Sequence, residues 1–156
     1  MKRVSIVFLI LFFISALFAD NAEQRFLTLK YQAAAIGEIS LAYRLQALTM
    51  SLAAANAVDS EYISAILDET DATILNGKSV ILAGNAAPDA LTKEIISAFD
   101  QLLKCSGNIK KYSAAKGKSG RDEVEKCLEI SRKNIDKVTD MHYKIQGKNK
   151  GDGVKK

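Results

Sequence analysis

Helical periodicity runs along almost the whole chain, and hardly any residue interrupts it. Among 156 residues only Pro88 is a proline, while apolar residues recur at steps of three and four in four long segments. A β fold of this length needs many turns and the helix-breaking residues that make them. The pattern therefore predicts an all-α protein, and the length allows one domain with a single core.

Short connections separate the four segments. The first covers about residues 22–58, the second starts after Asp59 and stops at Gly84, the third starts at Pro88, and the fourth starts near Arg121. Helices joined by short loops favour an antiparallel up-and-down four-helix bundle. The first helix is the longest, so we expect it to extend beyond the others, to bend at its internal glycine, or to fray.

Each predicted helix has one apolar stripe that we assign to the core. In the first helix the stripe comprises Phe26, Leu29, Ala33, Ile36, Ser40, Tyr43, Ala47, Met50, Ala54 and Ala57. In the second it comprises Ile63, Leu67, Thr70, Ile74, Gly77 and Ile81. In the third it comprises Leu91, Ile95, Ala98, Leu102, Cys105, Ile109 and Tyr112. In the fourth it comprises Val124, Leu128, Ser131, Ile135, Val138, His142 and Ile145.

The N-terminus has the pattern of a secretory signal peptide. Two basic residues are followed by an apolar run that ends in a small residue, Ala19, and this order is typical of a cleaved leader. We therefore interpret residues 1–19 as the leader, cleaved after Ala19, and expect a periplasmic or secreted protein. The alternative is an uncleaved membrane anchor, although the run is shorter than the about 20 residues of a membrane span. Residues 20–146 form the bundle domain, and the Gly- and Lys-rich residues 147–156 form a basic tail predicted to be disordered.

The two cysteines lie at equal distances from one predicted turn. Cys105 and Cys127 flank the turn around residues 116–120, so a helical hairpin that reverses there places them opposite each other. Cysteines paired in this way suit an oxidising compartment and predict a disulfide between the third and fourth helices. Two buried free thiols are the alternative.

The first helix also carries a second apolar stripe. It comprises Leu27, Tyr31, Ala34, Leu41, Leu45, Leu48, Leu52 and Ala55. At about 100° per residue the two stripes point roughly 160° apart, whereas a helix of a simple bundle has one side in water. We therefore predict an interaction surface at Leu41, Leu45, Leu48 and Leu52, for a second copy of the chain or another envelope protein. The alternative is a centrally placed first helix that buries both stripes.

Charge is distributed unevenly along the chain. Residues 20–103 carry five basic and eleven acidic side chains, and residues 104–156 carry fifteen basic and seven acidic ones. The basic segment is suited to contact with an anionic surface, or it simply balances the acidic helices. Nucleic acid is excluded as a partner, because the chain is predicted to be exported and lacks aromatic residues interleaved with the basic ones.

No motif predicts catalysis, a metal or a cofactor. His142 is the single histidine, and Thr139 stands where a Glu-x-x-His metal motif needs its glutamate. A haem ligand opposite His142 is also missing, because Phe26 and Leu29 occupy the start of the first helix. A nucleophile needs a histidine base with a third orienting group, which a lone helical histidine does not provide. We expect a protein that is not an enzyme and has no cofactor.

Two functions from different classes therefore remain. The first is a non-enzymatic helical-bundle protein of the cell envelope that acts through protein–protein interaction, as a homodimer or with another envelope protein. The alternative is a periplasmic small-ligand-binding or sensor-like bundle. Its pocket would be lined by Tyr43, Tyr112, His142 and Tyr143.

Overall fold

The chain forms an all-α four-helix bundle in a computed structural model. The structure describes the backbone of residues 2–83, 89–115 and 117–151, and the side chains of residues 23–83, 89–115 and 117–147. Within these ranges the helices are α1 (Lys2–Ala54), α2 (Ser60–Ala83), α3 (Ala90–Ala115) and α4 (Lys118–Gly151), with no strand. Where side chains are described, no helix is long and apolar enough to cross a membrane.

Two helices begin at side-chain N-caps, and α1 ends at a residue in the left-handed backbone conformation. These ends lie at the turns predicted from the sequence. The carboxylate of Asp59 accepts a hydrogen bond from the N–H of Tyr62 (2.7 Å), and Asp89 accepts one from the N–H of Thr92 (2.7 Å). Both are N-caps of the helix that follows. α1 ends in a Schellman motif, because Asn56 has a φ of 51° and the N–H of Ala57 bonds to the carbonyl of Leu52 (3.0 Å).

The helices pack with α1 and α3 across the shorter diagonal of the bundle. Each of these two contacts all three other helices, whereas α2 and α4 do not contact each other in the described part of the chain. One core cluster joins the middle of α1 to the end of α2, the start of α3 and the end of α4. A second joins the end of α1 to the start of α2, the end of α3 and the start of α4. This alternation of starts and ends is the antiparallel up-and-down arrangement.

The predicted core stripes of α2 and α3 are confirmed. Every residue assigned to them is buried. In α4 the assigned residues are buried or half-buried. The backbone of α4 continues to Gly151, past the predicted start of the tail at residue 147, and residues 152–156 lie outside the described part. The side chains of the predicted leader, residues 1–19, also lie outside it.

The core prediction for α1 needs correction. Phe26, Ala33 and Ala57 are exposed, and most of the other residues assigned to this stripe are only half-buried. The buried side chains form a different face: Gln32, Ala35, Ile39, Ala42, Gln46, Thr49, Met50 and Ala53. This face lies between the two apolar stripes of the sequence, and its Gln32 and Gln46 side chains bond with α3 and its N-cap. The helix is continuous through Gly37.

Candidate interaction surface

The second apolar stripe of α1 lies at the surface of the bundle along most of its length. Leu41, Leu45 and Leu48 are 56, 38 and 58% exposed. Leu52 differs, because it is half-buried against the second core cluster. Towards the N-terminus Leu27 and Tyr31 continue the exposed surface. We call the whole set, from Leu27 to Ala55, the leucine stripe.

The leucine stripe has the spacing of a coiled-coil seam. Its positions are 27, 31, 34, 41, 45, 48, 52 and 55, and residue 38 completes an unbroken alternation of steps of four and three. This period of 3.5 residues is typical of a helix that packs lengthwise against another helix. Position 38 is the exception in chemistry, since Glu38 stands where an apolar residue is usual.

Glu38 is turned away from solvent and against α2. Its side chain is half-buried, and its Oε2 atom is buried without a hydrogen-bond partner among the described residues. A Cβ atom added at Gly77 would collide with this oxygen and lie 3.1 Å from Cζ of Phe99. The glycine within α2 therefore makes room for the Glu38 side chain. Glu38 is not apolar and so does not belong to the predicted stripe, although the spacing on either side identifies its position.

α2 borders the leucine stripe on one side. A cavity of about 30 Å³ lies between Tyr31, Ala34 and Glu38 of α1 and Gly77 and Val80 of α2. Val80 is itself 47% exposed, so the apolar surface continues from one helix to the next. Val80 lies outside the core stripe of α2, and only the packing of the two helices brings it beside Tyr31.

Two buried glutamines hold α1 with the leucine stripe outwards. Gln32 Nε2 lies 3.0–3.1 Å from both carboxylate oxygens of Asp89 and 3.0 Å from Oγ1 of Thr92. Gln46 Nε2 donates to the carbonyl of Leu102 (2.8 Å). Rotation of α1 to bury the leucines would break these bonds with α3 and its N-cap, each worth about 0.5–1.5 kcal/mol net. The bonds therefore favour the observed orientation of α1.

Hydrogen bonds with Thr92 and Gln32 change the pKa of the Asp89 carboxyl group. Burial alone would raise its pKa, but hydrogen bonds from the backbone and side chain of Thr92 and from Gln32 outweigh that effect. The result is a pKa below the ordinary value of 3.8. Asp89 therefore remains a carboxylate at neutral pH while it caps α3 and accepts from α1.

The cysteines lie where the hairpin symmetry predicts. Cys105 and Cys127 are within disulfide bonding distance, with their Cα atoms 5.6 Å apart. Both side chains are buried, and Nε2 of Gln101 lies 3.2 Å from Sγ of Cys127. The pair joins α3 to α4 on the side of the bundle away from the leucine stripe. It is a structural link in the hairpin and not part of the candidate surface.

The four residues predicted to line a ligand pocket do not meet. Tyr112 belongs to the second core cluster, and Tyr43 packs against the first. His142 and Tyr143 are neighbours, with ring centroids 6.3 Å apart. They line an open groove of about 430 Å³ together with Ala33, Ile36, Gly37, Thr139 and Gln146. Only two of the four residues therefore share a cavity, because heptad-like spacing distributes the others along the length of the bundle.

The uneven charge is partly neutralised between helices. Nζ of Lys110 on α3 contacts carboxylate oxygens of Asp68 (2.7 Å) and Asp71 (2.8 Å) on α2, and Lys137 of α4 pairs with Glu94 of α3. Burial would lower the pKa of Lys110, but its bonds with the two aspartates raise it above the ordinary value of 10.5. Some basic residues of the segment 104–156 therefore form ion pairs between helices of the bundle.

The described side chains contain no group of three His, Cys, Asp or Glu residues that could hold a metal ion.

In comparisons with known proteins, no protein-family model, curated protein sequence or solved structure matches the chain.

Proposed function

We propose that the protein is an exported, non-enzymatic helical bundle that acts by protein–protein interaction, and that it self-associates through the leucine stripe of α1. The observation that carries this proposal is the exposure of Leu41, Leu45 and Leu48 along one line of α1. Contiguous apolar surface of this kind typically marks an interaction site. Export is supported by the leader pattern of residues 1–19 and by the paired cysteines.

A second copy of the chain is the partner that the spacing favours. A seam with a period of 3.5 residues is best covered by a helix with the same period, and α1 itself has it. A strip about 42 Å long and about 12 Å wide is about 500 Å² on each copy. Two copies thus provide about 1,000 Å², the lower limit for a specific interface.

The small-ligand alternative receives less support. It was based on four residues of which only His142 and Tyr143 share a groove, and that groove is open to solvent. We therefore place the function at the leucine stripe.

The experiment is the solution mass of the exported protein, recovered after expression of the full chain and measured by light scattering without reductant. We expect a dimer, and we expect Leu45→Glu to yield a folded monomer. Leu45 is 38% exposed, so burying the rest of it is worth about 0.5–1 kcal/mol in each of the two copies. The glutamate also brings a charge into the interface, so the dissociation constant should rise at least about 10-fold. The mass of the recovered chain also reports whether cleavage follows Ala19.

Leu75→Glu is the matched control. Leu75 is 54% exposed on α2 but lies outside the leucine stripe, so the same substitution there should leave the dimer intact. A wild-type protein that is monomeric at millimolar concentration would overturn the proposal.

A further inference from the structure

We infer that the dimer is parallel, with a two-fold axis along α1 and with Arg44 of one copy facing Glu69 of the other. This inference rests on the self-association proposed above and adds its orientation. Three observations on the described residues lead to it: the position of α2 beside the stripe, the direction of Glu38, and two charged side chains that no ion pair uses.

The position of α2 distinguishes between the two possible symmetries. α2 borders the leucine stripe on one side, where Val80 lies beside Tyr31 and Ala34. A two-fold axis parallel to α1 carries the second α2 to the opposite side of the seam. A two-fold axis perpendicular to α1 leaves both α2 helices on the same side, where they compete for one space. The parallel arrangement thus allows each α1 to lie in the groove between α1 and α2 of the other copy.

Glu38 fits the same arrangement. In a parallel, in-register dimer each position of the seam meets its own counterpart, and two glutamates in one layer would repel each other. The Glu38 side chain turns towards Gly77 of α2, and its Oε2 is buried there. Because the two α2 helices lie on opposite sides of a parallel seam, the two carboxylates turn away from each other.

Several exposed charged side chains take part in no ion pair among the described residues, and Glu69 on α2 and Arg44 on α1 are two of them. α2 carries four acidic side chains and one basic one, and Asp68 and Asp71 are paired with Lys110. On a helical wheel Arg44 lies on the side of the leucine stripe opposite to α2.

The register of α1 and α2 brings these two charges to the same height. Glu38 meets α2 at Gly77, and Met50 and Ala53 share a cluster with Ile63 and Leu67. Residue 69 therefore lies about level with residues 46–48 of α1. Measured along the helix axis, it is about 3–6 Å from the level of residue 44. In a parallel dimer, Arg44 of the second copy lies beside this edge of α2 of the first copy. In an antiparallel dimer, Arg44 of the second copy lies on the other side of the seam.

Charge exchange tests the contact, with the dissociation constant measured by sedimentation equilibrium on the exported protein. We expect Arg44→Glu and Glu69→Arg each to weaken the dimer at least about 5-fold, the usual scale of a close interfacial charge pair. The double variant Arg44→Glu/Glu69→Arg should return to within about 3-fold of wild type. Arg132→Glu, the same substitution at an exposed arginine of α4, is the control and should have no effect.

Distances between spin labels test the orientation independently. Lys30→Cys and Ser51→Cys are introduced one at a time into the oxidised protein, whose native cysteines are paired. A parallel dimer gives label separations below about 25 Å at both positions. The two sites are about 32 Å apart along α1, so any antiparallel register separates at least one pair by more than about 30 Å.

The outcomes separate the two proposals. A monomer at every concentration overturns the self-association itself. A dimer that shows one long label distance, or that the double charge variant fails to restore, leaves the leucine stripe as the interface and overturns the parallel arrangement alone.

Discussion

α1 and α2 pack against the same core, yet the apolar pattern identifies the buried face of only one of them. In α2 the predicted stripe is the buried face, from Ile63 through Ile81. In α1 the predicted stripe begins with Phe26, which is 67% exposed, and the fully buried residues include Gln32 and Gln46. The two helices differ in their number of neighbours, because α2 contacts two helices and α1 contacts three.

The difference shows what limits periodicity as a signal. A helix with two neighbours buries one narrow face, and its apolar residues mark the centre of that face. A helix with three neighbours buries a broader arc, and in α3 the apolar stripe still lies inside that arc. In α1 part of the arc is taken by Gln32 and Gln46, and the two apolar stripes mark its edges. At the centre of the arc in α1, Ala35, Ala42 and Ala53 are buried together with the larger Ile39 and Gln46, so apolar size alone does not mark this face.

The largest expected effect on stability comes from comparing two side-chain truncations on α1. Ile39 is fully buried on the face between the stripes, and Leu41 is largely exposed. We expect Ile39→Ala to lower the free energy of unfolding by about 3 kcal/mol, because it leaves a cavity in the core. Leu41→Ala should change it by less than about 0.5 kcal/mol. Urea unfolding at a concentration where the chain is monomeric measures both, and equal losses would contradict the assigned face.

A smaller effect is expected where α1 and α2 meet at Gly77. Gly77→Ala gains helix propensity of about 1 kcal/mol, but its Cβ collides with Glu38 Oε2 and crowds Phe99. The same substitution in a Glu38→Ala background avoids the first collision. We expect a coupling free energy of about 1 kcal/mol between the two sites.

A double-mutant cycle on unfolding free energies measures this coupling, with Gly107→Ala as control. Gly107 has open space where a Cβ would be added, so its substitution should not couple to Glu38. Additive effects at Gly77 and Glu38 would mean that the glutamate does not occupy the space beside the glycine.

The smallest effect concerns pH and the contact of α1 with the N-cap of α3. The folded pKa of Asp89 is below its ordinary value of 3.8, so the carboxylate contributes stability above that pH. This contribution is lost as the pH falls from about 4 through the folded pKa. We expect Asp89→Asn to flatten the pH dependence of unfolding below pH 4 and to leave its shape above pH 5 unchanged.

Gln32→Leu provides the matched comparison on α1, because it removes one of the donors that lower the Asp89 pKa. The acid transition of this variant should move to higher pH than that of the wild type. A transition at unchanged pH would show that Thr92 alone tunes the carboxyl group.

The sequence by itself determined the helical class, the turns between the helices, the buried faces of α2 and α3, and the pairing of Cys105 with Cys127. These features depend on local spacing: a cap such as Asp59, a step of three or four, or a symmetry about one turn. Such spacing is fixed by the geometry of the α-helix and the chain connection, and it does not depend on what lies beyond the neighbouring helix.

Only the tertiary structure decided which face of α1 is inside and which residues share a cavity. The apolar pattern of α1 permits burial of either stripe, and the choice is made by the contact with α3, where Gln32 meets Asp89 and Gln46 meets the carbonyl of Leu102. The separation of Tyr112 from His142 has the same origin. Both lie on core stripes, but only the antiparallel assembly sets them at opposite ends of the bundle, because the rotation and register of a helix are properties of all its neighbours together.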